Sequence, residues 1–321
     1  MVDDHQTDRS SPIGSPRIGL ALGAGGARGL THIGVLKALN RHGIPIDVIA
    51  GSSIGAVIGA MYAATLDVEW VEQRFRDLLA SEAFSQSGVR RIKPMTSGAE
   101  PGFLQWAARY VRHKFILNFA DVRQGVLKTD RLVRLIEFLV PVRTFKELRI
   151  PFSCCAVDLH TGREVLMRQG NLIQALTASA SIPGYLPPVP TDDGLLIDGA
   201  VGQPIPGNAA REIGGEFVIA VDVSLQSFSQ LEELNIPSIL GRISEISSSK
   251  LSRAQVDQCD FLIHPDSLNL HWTQFDQLDR LIDSGERATE EQMESLKRKL
   301  GQARGVKAWL SKIIGHIQFL K

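Results

Sequence analysis

The sequence has few cysteines and no excess of charge, and both shortages exclude classes of protein. Its three cysteines, Cys154, Cys155 and Cys259, are too few for a disulfide framework and lack the CxxC spacing of structural zinc sites. Their odd number fits a reducing compartment. Lys plus Arg and Asp plus Glu each total 35, so the formal net charge is +0 and no global basic excess can hold a phosphate backbone. We therefore expect neither structural zinc nor a nucleic-acid partner.

Long apolar runs are also scarce. Residues 1–16 are rich in Asp, Ser, Pro and Gly without an apolar run, which predicts a disordered tail rather than a signal peptide. Val48 to Leu66 runs for 19 residues without a charge, but Ile46 to Ala50 has the pattern of a β-branched strand and Gly51-Ser52-Ser53 that of a turn. The run therefore predicts a strand and a helix rather than a membrane span. With the cysteine usage, these features favour a cytoplasmic location.

Hydrophobic periodicity predicts alternating strands and helices, the pattern of a parallel α/β sheet. Predicted strands cover 17–22, 46–50, 152–158, 164–167, 195–197, 217–222 and 261–264, and predicted helices cover 30–42, 54–64, 68–80, 131–139, 172–181 and 306–320. Residues 81–129 are expected to form a cap or insertion, and residues 240–321 a mainly helical part. We predict one domain over 17–321, with a central, mostly parallel sheet between helical layers.

A GxSxG motif, Gly51-Ser52-Ser53-Ile54-Gly55, lies between a predicted strand and a predicted helix. This is the context of a nucleophile elbow, a strained turn that exposes the serine hydroxyl at a helix N-terminus. Gly51 and Gly55 would let backbones pass closely through such a turn. A second interpretation stays open, namely a tight turn that Ser53 only caps.

A second glycine-rich segment, GAGGARG at residues 23–29, follows the first predicted strand. Exposed backbone N–H groups at a helix N-terminus suit a phosphate or the oxyanion of an acyl-transfer intermediate. Nucleotide binding is disfavoured, because Arg28 occupies the third glycine position of GxGxxG and no GKS or GKT sequence follows. Close helix–sheet packing is the remaining interpretation.

A serine nucleophile needs a base, yet none of the eight histidines lies in a recognisable motif. Asp198 instead ends the apolar run LLID and precedes Gly199, where the backbone can turn sharply. Partial desolvation there would raise the basicity of the carboxylate, so that it could accept a proton from a nearby hydroxyl. An ordinary Asp-Gly turn is the alternative.

Taken in order, three sequence blocks resemble the compact bacterial-type members of the patatin-like phospholipase family. They are IGLALGAGGARGLTHIGVLKALNRHGIPIDVIAGSSIGAVIGAMYA (Ile18 to Ala63), ASASIPGYLPPV (Ala178 to Val189) and LLIDGA (Leu195 to Ala200). The resemblance implies a three-layer α/β/α patatin-like fold. Two positions depart from the family pattern, since Ala24 stands in the family's triple glycine and Gln203 stands where asparagine is frequent.

Carried onto this sequence, the resemblance implies that Ser53 is the nucleophile and Asp198 its partner in a dyad without histidine. The oxyanion hole would be formed by Gly25, Gly26, Ala27 and Arg28, and the motif glycines would be Gly29, Gly51, Gly55 and Gly199. The implied activity is hydrolysis of lipid acyl esters through an acyl-enzyme, of phospholipase A, lysophospholipase or carboxylesterase type. No metal or organic cofactor is implied.

Two alternatives remain open at this point. An α/β-hydrolase-type esterase would use Ser53, Asp198 and a later histidine, for which His264 is the best candidate, although that fold normally places several strands before its elbow. A non-catalytic regulator would use the same site to bind a lipid or an acyl group.

Residues 90–134 carry ten basic and three acidic side chains, a local net charge of +7. In this segment Phe103, Trp106 and Tyr110 fall at helical spacing, which makes them candidates for peripheral contact with anionic lipid on the inner membrane surface. Packing of these aromatic side chains on the core is the alternative. The apolar stripe of the predicted helix 306–320 has the same two interpretations.

Overall fold

The computed structural model describes residues 15–87, 128–228, 230–231 and 236–319, and within the last range the side chains of 239–307. The strands in these ranges are β1 (Ile18–Leu22), β2 (Val48–Ser52), β3 (Phe152–Asp158), β4 (Glu164–Met167), β5 (Val189–Thr191), β6 (Gly194–Asp198), β7 (Phe217–Val221) and β8 (Phe261–Ile263). The helices are α1 (Thr31–Arg41), α2 (Ile54–Thr65), α3 (Val68–Ala80), α4 (Glu82–Gln86), α5 (Thr129–Leu139), α6 (Leu172–Ser179), α7 (Gly207–Glu212), α8 (Ile236–Val256) and α9 (Leu278–Phe319).

All eight strands form one sheet in the order β5-β6-β3-β2-β1-β7-β8, with β4 paired to β3. The central strands β3, β2, β1, β7 and β8 run parallel, whereas β4, β5 and β6 add antiparallel pairs at one side. The predicted α/β class with a mostly parallel central sheet is confirmed. Because the parallel strands share a carboxyl edge, the loops after β1, β2 and β7 meet there.

The two faces of the sheet bury side chains of different size. In β1, Leu20 and Leu22 point into a large apolar core that also contains Leu36 of α1, Ile58 of α2 and Leu281 of α9. The other face is lined by small residues, among them Ala21, Ala50 and Val218, which pack against Ala209 and Ala210 of α7. The sheet thus lies between two unequal helical layers, and α7 approaches closely because the residues beneath it are small.

The uncharged run from Val48 to Leu66 forms β2 and α2 joined at Ser53, so the predicted strand and helix are confirmed. The strand lies two residues later than predicted, because Gly51 and Ser52 pair with Cys154 and Cys155 of β3 instead of forming a turn. No helix in the described part of the chain combines the length and hydropathy that crossing a membrane needs. The helix α3 begins after Asp67, which is its N-cap because the Asp67 carboxylate accepts a hydrogen bond from the Trp70 amide.

The predicted terminal helix at 306–320 was far too short, because α9 spans 42 residues from Leu278 to Phe319. Its buried side chains, such as Leu281 and Leu296, pack on the core, while charged residues cover the outer face. A β-carbon at Gly285 would lie 2.0 Å from the Thr31 carbonyl oxygen, so this glycine lets α9 approach α1 closely. The periodicity of α9 was hidden by this glycine and by the many polar residues.

Residues 1–14 and 88–127 lie outside the described residues. Most of the predicted tail (1–16) and of the predicted cap (81–129) therefore lies there as well, as do Phe103, Trp106 and Tyr110. Of the predicted cap, the described part contains the short helix α4 and the residues that begin α5. The division into tail, cap and one domain over 17–321 stays a prediction.

Candidate active site

The turn between β2 and α2 holds Ser53 in a backbone conformation that non-glycine residues rarely adopt, with φ 54° and ψ −123°. Such strain persists where surrounding structure fixes it, and it is the geometry of a nucleophile elbow. The side chain stands at the N-terminus of α2, where the helix dipole favours negative charge. This placement agrees with the predicted elbow.

Four motif glycines make this turn sterically feasible. At Gly29 an added β-carbon would lie 2.2 Å from the Ile54 side chain, and at Gly51 it would lie 2.4 Å from Ala56. At Gly55 it would lie 2.2 Å from the Leu22 carbonyl oxygen, and at Gly199 it would lie 2.3 Å from the Cys155 carbonyl oxygen. At Gly55 the obstacle is backbone of β1, which cannot move without breaking the sheet. The glycines therefore bring α2, β1 and the turn after β6 into direct contact around Ser53.

Asp198 lies at the end of β6 and directly faces the nucleophile. The Ser53 hydroxyl donates a hydrogen bond to Oδ2 of Asp198 over 2.7 Å, although the two residues are 145 positions apart in the chain. Oδ1 of the same carboxylate accepts the Ala200 amide at 2.8 Å, which fixes its orientation. Both side chains are nearly inaccessible, with relative exposures of 5% for Ser53 and 2% for Asp198.

Burial raises the pKa of Asp198 to about 6 from the ordinary 3.8, while the Ala200 amide and the Ser53 hydroxyl oppose the rise. The carboxylate is therefore a stronger base than an exposed aspartate, yet it remains mostly ionised at neutral pH. These are the properties that a general base acting on a serine hydroxyl needs.

The glycine-rich segment 23–29 divides its amides between the fold and the site. The amides of Gly23, Ala24 and Ala27 donate to carbonyl oxygens of Val221, Pro204 and Trp272 at 3.0, 3.0 and 2.7 Å. Those of Gly25 and Gly26 donate to no acceptor within the described ranges. The turn that contains Gly26 packs against α2, whose N-terminus carries Ser53. Two neighbouring N–H groups without an acceptor are what an oxyanion hole needs. The Ala27 amide, which was predicted to be an oxyanion-hole donor, is therefore excluded because it already has an acceptor. The Ala24 amide is excluded for the same reason.

The Arg28 residue is buried, with 8% exposure. Its Nη1 donates to the Leu270 carbonyl oxygen at 3.3 Å, and its Nε has no partner in the described part of the chain. Burial lowers the pKa of Arg28, and the charges of Glu245 and Asp222 oppose that shift. Below the segment, His32 Nε2 donates to the Gly23 carbonyl oxygen at 2.8 Å, and burial lowers the pKa of His32 to about 4, so this histidine is neutral.

Ser179 is a site residue to which sequence reasoning assigned no role. Its hydroxyl oxygen accepts the Ser53 amide at 3.1 Å, and its side chain is fully buried at the end of α6. The Ser53 amide cannot join the hydrogen bonds of α2, so Ser179 satisfies a buried donor at the strained residue. The block ASASIPGYLPPV contains Ser179, but no spacing rule shows which of its serines reaches Ser53.

The structure does not assemble the rival triad of Ser53, Asp198 and His264. His264 directly follows β8, and its Nδ1 lies 3.2 Å from Asp222 Oδ2. The Asp198 carboxylate instead accepts hydrogen bonds from the Ser53 hydroxyl and the Ala200 amide. Among the described residues, β1 is the one strand that precedes β2, whereas an α/β-hydrolase normally has several strands before its elbow. Within the described residues, no three His, Cys, Asp or Glu side chains converge as metal ligands would.

Comparisons with known proteins find relatives of the chain in several organisms. A patatin-like phospholipase domain-containing protein of Caenorhabditis elegans is 35% identical over 222 residues, which is 68% of this chain and 14% of that protein. Human patatin-like phospholipase domain-containing protein 6 is 32% identical over 67% of this chain and 14% of its own length. An uncharacterised NTE family protein of Mycobacterium tuberculosis is 32% identical over 65% of this chain and 50% of its own length. The chain thus spans at most about half the length of these curated relatives.

Two solved structures resemble the chain more distantly. VipD from Legionella pneumophila gives a TM-score of 0.45 at 16% identity, over 89% of this chain and 68% of that one. Human GIVD cytosolic phospholipase A2 gives a TM-score of 0.41 at 14% identity, over 91% of this chain and 60% of that one. The family model described as patatin-like phospholipase matches residues 20–211, more than half of the chain and the whole of the site around Ser53 and Asp198. The chain belongs to the patatin-like phospholipase family.

Proposed function

We propose that this chain is a lipid acyl-ester hydrolase that uses Ser53 as nucleophile and Asp198 as its general base, without a histidine. The observation that carries the proposal is the 2.7 Å hydrogen bond from a strained, buried serine hydroxyl to a carboxylate whose pKa is raised to about 6. Family membership and the names of the relatives support a lipid acyl ester as substrate.

In the first half-reaction, Asp198 Oδ2 accepts the hydroxyl proton while Ser53 Oγ attacks the ester carbonyl carbon. The carbonyl oxygen becomes an oxyanion that the amides of Gly25 and Gly26 stabilise, each worth roughly 3 kcal/mol of barrier. The tetrahedral intermediate collapses, the bond to the alcohol oxygen breaks, and protonated Asp198 returns its proton to that oxygen. The products are the alcohol and an acyl ester of Ser53.

In the second half-reaction, Asp198 accepts a proton from water while the water oxygen attacks the acyl-enzyme. The same two amides stabilise the second oxyanion. Collapse breaks the bond to Ser53 Oγ, which recovers its proton from Asp198, and the fatty acid leaves. One ester bond and one water molecule are consumed in each cycle, and the enzyme returns to its starting state.

A fluorophosphonate probe tests the nucleophile directly, because it labels activated serines covalently. The native protein should be labelled and Ser53→Ala should not. Ser52→Ala is the matched control, because Ser52 is the buried last residue of β2, directly before Ser53. Asp198→Asn should lose on the order of 10⁴-fold in kcat on p-nitrophenyl esters. His264→Ala should retain turnover.

Each contrary outcome identifies an alternative. Absence of labelling in the native protein would favour the non-catalytic lipid-binding regulator. Equal labelling of Ser53→Ala would place the nucleophile elsewhere. Loss of turnover in His264→Ala would favour the alternative triad, in which His264 is the base. Turnover of phospholipids, lysophospholipids and simple esters of graded chain length then separates the phospholipase A, lysophospholipase and carboxylesterase subtypes.

A further inference from the structure

A fully buried histidine on α1 lies against the glycine-rich segment, and the dyad mechanism gives it no part. His32 is 0% exposed, and burial lowers its pKa to about 4, so the imidazole is neutral. Its Nε2 lies 2.8 Å from the Gly23 carbonyl oxygen. Because a carbonyl oxygen only accepts hydrogen bonds, Nε2 carries the single ring proton and donates it. His32 therefore holds the backbone two residues before Gly25, the first of the two candidate oxyanion donors.

The other ring nitrogen of His32, Nδ1, has no hydrogen-bond partner in the described part of the chain. A buried polar atom without a partner costs stability. An apolar side chain at this position would avoid that cost, but it would leave the Gly23 carbonyl oxygen without the donor. The hydrogen bond from Nε2 is therefore what the histidine contributes at position 32.

The peptide group between Gly23 and Ala24 is held at both of its polar atoms. Its carbonyl oxygen accepts from His32 at 2.8 Å, and its N–H donates to the Pro204 carbonyl oxygen at 3.0 Å. A peptide group is planar, so these two bonds together fix the direction of the whole group. Glycine would otherwise allow the group to rotate, because its backbone has a wide choice of dihedral angles.

The two candidate oxyanion donors lie between this peptide group and a second one that is also held. At the far side, the Ala27 amide donates to the Trp272 carbonyl oxygen at 2.7 Å. The amides of Gly25 and Gly26, in between, donate to no acceptor among the described residues. Their direction therefore depends on how the peptide groups on either side are held, and His32 is the side chain that holds one of them directly.

We propose that His32 is a positioning residue for the oxyanion hole, whose hydrogen bond to the Gly23 carbonyl oxygen directs the amides of Gly25 and Gly26 at the reacting oxygen. This role rests on the proposed hydrolase function. His32 transfers no proton in it, and Asp198 remains the base. Misdirected donors would stabilise the transition state less and change substrate binding little, so loss of the His32 bond should lower kcat without changing KM.

Hydrolysis of p-nitrophenyl butyrate by three variants at this position tests the role. His32→Leu removes the donor, and kcat should fall about 10²-fold with KM unchanged. His32→Gln places an amide N–H about as far from the backbone as Nε2, so it should recover most of the lost kcat. The amide of His32→Asn is one methylene shorter, so this variant should lose kcat as His32→Leu does.

Tyr62→Phe is the matched control for loss of a buried hydrogen bond to α1. Tyr62 on α2 is 2% exposed, and its hydroxyl donates to Oδ1 of Asn40 at 2.8 Å. Asn40 lies about two turns further along α1 than His32, away from the glycine-rich segment. Tyr62→Phe should lower the melting temperature and leave kcat unchanged, because it removes a bond that fixes only the packing of the two helices.

Two further measurements separate positioning from folding. When Ser53 Oγ adds to a trifluoromethyl ketone, its proton passes to Asp198 and the ketone oxygen becomes a stable oxyanion. In His32→Leu, the affinity for this ketone should fall by the same factor as kcat/KM. In the native protein, nitrogen NMR should show the tautomer of His32 with its proton on Nε2, and His32→Gln assigns the signal.

Native kcat in both His32→Leu and His32→Asn would overturn the positioning role and leave the hydrolase function standing. Equal kcat in His32→Gln and His32→Asn would also overturn it, because the loss would then come from packing. A proton on Nδ1 would do the same without any measurement of turnover, since Nε2 could not then donate. If the native protein hydrolyses no ester, the hydrolase function itself fails, and the positioning role fails with it.

Discussion

At the scale of single residues, the candidate site depends on how burial changes Asp198. The carboxylate accepts two hydrogen bonds that favour its charged form, yet desolvation outweighs them and raises its pKa to about 6. In the mechanism that we propose, this raised basicity lets Asp198 act as the base that is a histidine in more familiar serine hydrolases.

The pH profile of turnover should report this pKa. Because only the ionised carboxylate can accept the Ser53 proton, kcat/KM should rise with pH and level off above a midpoint near the pKa of about 6. Below the midpoint it should fall about tenfold per pH unit. Steady-state rates on an uncharged p-nitrophenyl ester measure the profile, and a flat profile between about pH 5 and about pH 7 would contradict the assignment of Asp198 as base.

Ser179 should position the nucleophile through its hydrogen bond to the Ser53 amide. Ser179→Ala leaves that buried donor without a partner, so kcat should fall roughly tenfold with little change in KM. Ser181→Ala is the control, because Ser181 is equally buried but its hydroxyl donates to the Thr177 carbonyl oxygen. It should lower thermal stability alone. Equal effects of the two substitutions on kcat would show that Ser179 has only a structural role.

At the scale of secondary-structure elements, the contact between α1 and α9 depends on glycine. A β-carbon at Gly34 would lie 2.0 Å from the Ile282 carbonyl oxygen, and one at Gly285 would lie 2.0 Å from that of Thr31. Each helix thus presents a glycine to the backbone of the other. The approach supports the whole glycine-rich segment, because α1 follows it directly and α9 packs over both.

Two glycines of α9 should respond to alanine with opposite signs. Gly285→Ala should destabilise the protein by roughly 1–3 kcal/mol, because the added methyl group must push α1 and α9 apart. Gly301→Ala should stabilise it by up to about 1 kcal/mol through helix propensity, since nothing lies within 4 Å of its added β-carbon. Urea unfolding followed by circular dichroism measures both. A stabilising Gly285→Ala would contradict the close packing.

Local sequence determines the boundaries of most elements. Tertiary packing determines the remaining boundaries. The helix α3 and the hairpin of β3 and β4 begin and end where periodicity and turn residues predict. The short strand β5 escaped prediction because Pro190 lies in it, and its pairing with β6 is a tertiary contact. The length of α9 was not predicted, because Gly285 is needed for the contact with α1, which is far away in the sequence.

At the scale of the whole molecule, Asp198 should destabilise the fold that holds it. Its folded-state pKa of about 6 lies above the ordinary 3.8, so the native state binds its proton more tightly and stability is lost as pH rises from about 4 to about 6. The full cost above that window is roughly 3 kcal/mol. Asp198→Asn removes this cost, and its stability relative to the native protein should increase between about pH 4 and about pH 7.

Asp222 provides a control of opposite sign. Burial alone would raise its pKa, but the bonds from His264 and Ser224 outweigh burial and hold the pKa of Asp222 below its ordinary value. Its charge therefore stabilises the fold at neutral pH, and this contribution is lost as pH falls through its lowered pKa. Asp222→Asn should lower the melting temperature at neutral pH. If Asp198→Asn behaved in the same way, the raised pKa of Asp198 would be contradicted.

Local motifs and their spacing along the chain are sufficient to predict the family, the α/β class and Ser53 and Asp198 as candidate site residues. The tertiary structure is needed to show which groups meet. It brings Asp198 to Ser53 across β6, β3 and β2, and it directs Ser179 at the Ser53 amide. It also gives the Ala24 and Ala27 amides acceptors, whereas the Gly25 and Gly26 amides have none among the described residues. The reason is that hydrogen-bond partners and burial depend on how distant strands pair and pack, which no local pattern encodes.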